Sequence, residues 1–411
     1  MTRLLVLLIL ALLAPRVLAI VDMKNANYSN TWVDFALLAQ EPGAELNLER
    51  TYNSRTLFNG IFGFGWCTNF ETSLEITAEG NLKRRNCGAG AEEVFVAAPL
   101  TRQDVESIID AIIQYKKANE SSYRNDQHYR ELREELLEYD DKRTELAREM
   151  GLLAKPIEGK KYVVPPTRPW QVVEQGKARQ VAPKSSAEIV FQDGFFRLTW
   201  DDGSQEYFDR QGRLLRVVDK AGHALKLNYL DNGLLKSVSD GKGRSLRFEY
   251  YAANRKVMEV TASDGTKAVY QYRNQDDLAY SRDSKRYATV YTYDDLHNIV
   301  KIVFTDRSRI RIQYDTNNDW VTGFIDRDNC RENYTYEIDP KDTKGHFWST
   351  VTKTCGQHVV ACSRYDFFHR RNQTGDYELE KVESTELSFP AKAERYERAA
   401  SSGLPKECKR D

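Results

Sequence analysis

Leu225-Lys226-Leu227-Asn228-Tyr229, followed by Leu230-Asp231-Asn232-Gly233, decides the reading of this chain. Leu225, Leu227 and Tyr229 alternate with polar residues, which puts them on one face of a β-strand. Asp231-Asn232-Gly233 is a turn, because Asp and Asn bond their own backbone and Gly accepts positive φ. The triplet returns as Leu246-x-Phe248-x-Tyr250, Ala268-x-Tyr270-x-Tyr272, Thr289-x-Tyr291-x-Tyr293, Ile310-x-Ile312-x-Tyr314 and, with a weaker start, Glu332-x-Tyr334-x-Tyr336. With Phe208 as first rung, the spacings are 21, 21, 22, 21, 21 and 22 residues. An aromatic at so fixed an interval means one supersecondary unit stacked on copies of itself.

Each unit has a second strand, such as Leu214 to Val218, Val257 to Thr261 or Ile299 to Phe304, and a second Asp-led corner, such as Asp219 to Gly222, Asp240 to Gly243 or Asp264-Gly265. The unit is therefore strand–turn–strand–turn. The fold class expected is mainly β: a curled antiparallel β-meander with an inserted α-helical hairpin.

The flanks are read against this ladder. Met1-Thr2-Arg3, the apolar run Leu4 to Leu13 and Val17-Leu18-Ala19 make residues 1–19 a cleavable signal peptide, too short to span a bilayer. Ile20 follows, so no lipid anchor is indicated, and a secreted or periplasmic location is expected. Residues 20–98 read as an N-terminal β domain, with a strand and its exit at Leu46 to Arg55, a tight aromatic turn at Phe62 to Trp66 and a hairpin around Glu79-Gly80.

Residues 99–154 read as the helical hairpin. Val105, Ile108, Ile109, Ile112 and Ile113 have helical spacing, and Tyr129, Leu132, Leu136, Tyr139, Leu146 and Met150 form a heptad stripe interrupted at Arg143. Residues 155–188, with Pro156, Pro165, Pro166, Pro169 and Pro183, read as a linker. The repeats fill 189–340. Residues 341–411 read as a disulfide-tied element and a charged tail.

Charge is balanced at 60 basic and 61 acidic residues, with no basic tract to mark a nucleic-acid partner and no later run apolar enough to cross a membrane. Six cysteines in an exported chain are able to pair fully. Cys67 with Cys87 and Cys355 with Cys362 are the candidate bridges, each flanking a turn; Cys330 and Cys408 remain. No metal site is expected, since there is no CxxC and the six His residues are scattered.

The ladder resembles YD repeats, the building unit of the Rhs family. The residues that carry the likeness are Phe208-Asp209-Arg-Gln-Gly212-Arg213-Leu214 with Asp219-Lys-Ala-Gly222, and the looser copies Tyr229 to Leu235 and Tyr293-Asp294 to Ile299. Arg50-Thr-Tyr-Asn-Ser-Arg55 and Phe62-Gly63-Phe64-Gly65-Trp66 resemble the domain that often precedes Rhs repeats. The family commonly builds a β-sheet cocoon around a C-terminal toxin, released at a self-cleavage segment. Here Asp339-Pro340 stands without that segment's motif, and no nuclease, deaminase or protease constellation follows it. Fourteen strands at ~4.8 Å would make a strip of ~67 Å, or a ring only ~20 Å across, too narrow for a toxin domain.

There is no Gly-x-Ser-x-Gly, His-Glu-x-x-His or phosphate-cradling loop, and no cofactor is implied. The expectation is an exported, non-catalytic scaffold or binding module for a protein or glycan. Two alternatives stand beside it: a truncated or stand-alone relative of a toxin-delivery shell, and a glycan-acting enzyme with two carboxylates across a cleft. Tyr229, Tyr250, Tyr272, Tyr293, Tyr314 and Tyr336 are the candidate binding residues, as a stacking platform for sugar or peptide; the competing reading makes them core.

Overall fold

The computed structural model describes residues 20–37, 43–86, 91–119, 125–165, 169–174, 176–181, 186–371 and 377–388. The expected leader, Cys87 and Cys408 lie outside the described residues.

The repeats form one continuous sheet. From Ala187–Gln192 to Tyr377–Ser388 each strand pairs antiparallel with the next. The alternation read from the triplets sets the faces: Leu225 and Leu227, Leu246 and Phe248, Ile310 and Ile312 are buried, while Lys226, Arg247 and Arg311 are exposed. A bulge recurs just before the aromatic rung in six units. Asn228 faces Ser237 but Tyr229 faces Leu235, so Lys236 is left over. An extra residue on one strand bends it and adds twist, and repeating the bulge at the same point of each unit curls the sheet steadily.

The segment expected as a linker contributes strands instead. Lys161–Val163 pairs with Ala187–Gln192 at one end of the sheet. Trp170–Glu174 runs parallel to Tyr377–Ser388 at the other end and carries Lys177–Val181 outside it. The sheet thus has 21 strands rather than fourteen. Laid flat it would measure ~96 Å at ~4.8 Å per spacing. Val163 and Trp170 sit near opposite ends, yet seven residues of chain reach at most ~25 Å. The ends are therefore brought round towards each other, and a single ring of that perimeter would be ~30 Å across.

Its concave side is occupied by the chain's own N-terminal unit. That unit holds a four-stranded sheet (Ile20–Val21, Tyr28–Leu37, Leu46–Asn53, Trp66–Thr68), the short pair Asn59–Gly60 and Gly63–Phe64, and a three-stranded sheet (Ser73–Ile76, Leu82–Asn86, Ala91–Phe95). Tyr28, Phe35, Leu48, Phe62 and Trp66 belong to the same apolar core as the inward faces of the repeats. Backbone bonds tie the two together: Leu74 N–H to Gly212, Val257 N–H to Ile61, Phe64 N–H to Asp276, Ser284 N–H to Asp34 and Val321 N–H to Ala26. Gly212 is glycine for a physical reason: its φ is +79°, and a Cβ there would lie 1.6 Å from the Leu74 carbonyl oxygen.

Helices α1 (Arg102–Asn119), α2 (Asp126–Glu138) and α3 (Asp140–Glu149) replace the expected two-helix hairpin. The second arm breaks at Tyr139, whose φ of −114° and ψ of 99° are extended. Arg143, the interruption in the heptad, is buried and donates to Glu79 and to the Leu136 carbonyl. The helices share a second, smaller core of Ile109, Ile112, Ile113, Tyr129, Leu132, Leu136 and Ala147. They dock on the 73–86 hairpin through polar contacts: Lys83 with Asp140 and Asp141, Arg148 with Glu75, and the Ala78 N–H on the Thr144 hydroxyl.

The disulfide expectation is corrected in part. Cys330 bonds Cys355, not Cys362. Cys355 ends its strand opposite His358, whereas Cys362 lies further down the hairpin opposite Thr352. On its other side the strand places Thr354 against Arg331, which brings Cys330 beside Cys355. Cys67 and Cys362 are also disulfide-bonded.

Candidate functional site

The six candidate tyrosines lie on the inner side of the curl, half-buried against the core. Five use their hydroxyl in the same way. Tyr229 donates to the Leu214 carbonyl (2.6 Å), Tyr250 to Leu235 (2.7 Å), Tyr293 to Leu278 (2.9 Å), Tyr314 to Ile299 (3.2 Å) and Tyr336 to Val321 (2.7 Å). The acceptor always lies fifteen residues back, at the bulge of the preceding unit. The rung is thus a staple between repeats. Burial pushes the phenols of Tyr229, Tyr250 and Tyr336 up, so they remain donors. Tyr272 differs: its hydroxyl is buried without a partner among the described residues, and its ring meets Tyr251 edge-on.

Tyr293 also receives the Trp66 indole N–H (2.9 Å), and so joins the ladder to the N-terminal unit. Beside it lies a fully buried ion pair. Arg50 is 0% exposed and forks onto Asp34, with Ser281 as a further acceptor at 3.2 Å. The Tyr270 hydroxyl donates to Asp34 at 2.7 Å, and the guanidinium lies over Trp66, Tyr270 and Phe62. Breaking such a pair leaves an uncompensated charge, which costs about 3–5 kcal/mol. Arg50 was legible only as part of a motif; a charge in an inward strand position is the signal that marks it.

The turn aspartates hold corners. Asp240 accepts the N–H groups of Lys242 and Arg244 and pairs with the Arg244 guanidinium. Burial pushes this carboxyl up, but those donors outweigh it and hold it below the ordinary range. The Ser308 hydroxyl and N–H do the same for Asp306. A groove of about 590 Å³ is rimmed by Asp294, Asp295, Asp315 and Asp319. Asp294 and Asp315 accept backbone N–H groups of their own turns, and Asp319 accepts the Asn298 amide. Among the described residues no group of three or more His, Cys, Asp or Glu could hold a metal ion.

Glu71 is a carboxyl of another kind. Its two oxygens accept the Ile61 and Thr68 N–H groups, and burial pushes it up to about 7. At the far end, His346 stacks on Phe368 and places its ring nitrogens 3.1 Å from Asp339 and 3.0 Å from Asp366. Asp366 is gripped by Arg364 as well. No helix among the described residues is long and apolar enough to cross a membrane.

Residues 20–95 match the family described as "Domain of unknown function (DUF6531)". A "Probable deoxyribonuclease RhsB" of Dickeya dadantii (strain 3937) is 28% identical over 113 residues. Both findings agree with the resemblance to the Rhs/YD-repeat family. The stretch shared with the Dickeya protein is 25% of this chain but only 8% of that protein's length. Among solved structures, a crystal structure of TcdB2-TccC3-TEV overlays 85% of this chain on 21% of that one, at 9% identity and a TM-score of 0.23. The Photorhabdus luminescens Tc holotoxin pore overlays 88% on 26%, at 8% identity and a TM-score of 0.23. Superpositions this loose fix nothing further about the chain.

Proposed function

We propose that this is an exported, non-catalytic Rhs-type scaffold that binds a protein or glycan on its outer surfaces. One observation carries the reading: the concave side of the curled sheet is packed with the chain's own residues 20–95, in a core shared with the repeats. A shell filled by its own N-terminal unit has no room for cargo, so a partner must sit outside. The Cys330–Cys355 bridge fits an oxidising compartment, in keeping with the expected leader. The α1–α3 module is the leading surface for a protein partner. It has its own core and meets the rest of the chain through ion pairs, so its removal leaves the main core untouched.

The test is a pull-down from the native envelope with residues 20–411 as bait, beside a variant lacking 102–149. The full chain is expected to retain a partner that the deleted, still folded chain loses. An unfolded deletion variant would make the helices structural and remove this surface from consideration. A second reading, a truncated or stand-alone relative of a toxin-delivery shell, has support in the sequence likeness to the Dickeya Rhs protein. A toxin–immunity pair encoded beside this gene would favour it.

A further inference from the structure

Charge on the repeat sheet is sorted by position. Most carboxylates sit at the corners, where Asp209, Asp240 and Asp306 are each paired with an arginine, at Arg213, Arg244 and Arg327; the mid-strand exceptions Glu249 and Glu259 face each other and are paired with Arg247 and Lys267. Cations sit in mid-strand on the outer face. Arg216 lies directly opposite Lys226, and Lys301 directly opposite Arg311. None of these four has a carboxylate within ion-pair distance among the described residues; Arg216 only covers the Tyr207 ring. Arg216, Lys226 and Arg311 are exposed, while the positions behind them, such as Leu225, Ile302 and Ile310, are buried. Between the two pairs stands Arg247, whose ion pair with Glu249 is long at 3.8 Å.

Like charges directly opposite on a sheet destabilise it. Two such pairs, left without counter-charge on a protein whose net charge is −1, make this stretch of the face locally cationic and attractive to an anion. The shape of the face selects the anion. From strand Leu214–Val218 to Ile299–Phe304 is eight strand steps, ~38 Å along the arc, with Arg247 about 14 Å from the start. The arc is convex with a radius on the order of 15 Å. Duplex DNA, with a persistence length of ~500 Å, does not follow such a curve. A single-stranded nucleic acid would need a row of aromatic platforms, and the outward positions between the pairs, among them Ser237, Ser239, Glu249, Glu259, Thr261, Val269 and Val290, include the aromatic Tyr280 but no row.

We infer that this outer belt binds a flexible acidic polysaccharide through its carboxylates, with Arg216, Lys226, Arg247, Lys301 and Arg311 as the contacts. The inference rests on the reading of the protein as a binding scaffold and names one of its surfaces.

The experiment uses residues 20–411 and a fluorescently labelled polygalacturonate of about twenty units, followed by anisotropy at 50 and 200 mM salt. Binding is expected, and it weakens as salt rises because the contacts are charge on charge. The variant Arg216→Glu with Arg311→Glu turns both like-charge pairs into opposite-charge pairs. It is expected to bind at least tenfold more weakly and to melt at the same temperature or higher. Three results each overturn the inference: no binding by the wild-type chain, unchanged binding by the variant, or a lower melting temperature that makes the pairs structural. Equal or tighter binding of a 40-nucleotide oligo(dT) or a 40-base-pair duplex would reassign the belt to nucleic acid. Loss of polygalacturonate binding with the envelope pull-down intact sinks the belt alone; loss of the pull-down with polygalacturonate still bound sinks the helical surface instead.

Discussion

Replacing each ladder tyrosine by phenylalanine separates a structural staple from a ligand platform. The change deletes one oxygen and keeps the ring. At Tyr229, Tyr250, Tyr314 and Tyr336 it removes a single bond to a carbonyl, a net loss of about 1 kcal/mol each. At Tyr293 it removes two, the donation to Leu278 and the acceptance from Trp66, and it strands the indole N–H of a side chain that is 0% exposed. A net bond of about 1 kcal/mol plus a buried donor left unsatisfied at about 1–3 kcal/mol gives a loss on the order of 2–4 kcal/mol. At Tyr272 the deleted hydroxyl is buried and unpartnered, so Tyr272→Phe is expected to be neutral or slightly stabilising. Urea unfolding followed by fluorescence measures all six. The predicted order is Tyr293 worst, four intermediate rungs and Tyr272 silent. Equal losses at all six positions, or none at Tyr293, would refute the staple. A platform for sugar or peptide would instead leave stability flat and change affinity.

Two more expectations follow from chemistry already described. Cys330→Ser opens a bridge whose partners are 25 residues apart; the chain-entropy estimate for such a loop is about 3.5 kcal/mol, so unfolding by urea should come markedly earlier in the variant, and an unchanged midpoint would count against the pairing. Glu71 holds its proton up to about 7 in the folded chain against 4.5 unfolded. An acid raised on folding contributes most below the unfolded value, and that contribution fades as pH rises from about 4.5 to 7, on the order of 3 kcal/mol in all. Glu71→Gln cannot titrate, but its NH2 faces one of the two N–H groups, so it should fall below the parent near pH 5 and narrow that gap by pH 8. Parallel pH profiles for the two proteins contradict the assignment.

The repeats were readable because their pattern is local. A triplet with period two, an Asp corner and a fixed interval are all contained within 22 residues, so the strands and their inward faces needed no distant information. What escaped was non-local. Trp170-Gln-Val-Val-Glu174 is a fair strand by composition, but prolines surround it and its partner Tyr377–Ser388 lies two hundred residues away. Arg143 looked like a fault in a heptad because Glu79, which makes it a buried anchor, sits on another element. Nothing periodic in residues 20–95 says that they will fill the concave side of the curl. Only Asp34 and Arg50, two charges in strands that should be apolar inside, hint at a private partner there. The outer cations were visible one by one; their facing pairs depend on a register that the bulges set.

The parallel seam between Gln171 and Lys381 has a consequence for how the molecule is made. A ribosome adding roughly 5–20 residues per second delivers the second edge some 10–40 s after the first. During that interval the hairpin of residues 170–181 has emerged with nothing to lie against, an open β-edge of the sort that recruits other nascent chains. Closure thus waits for Tyr377–Ser388, and a chain stopped short of residue 377 would keep that edge unsealed.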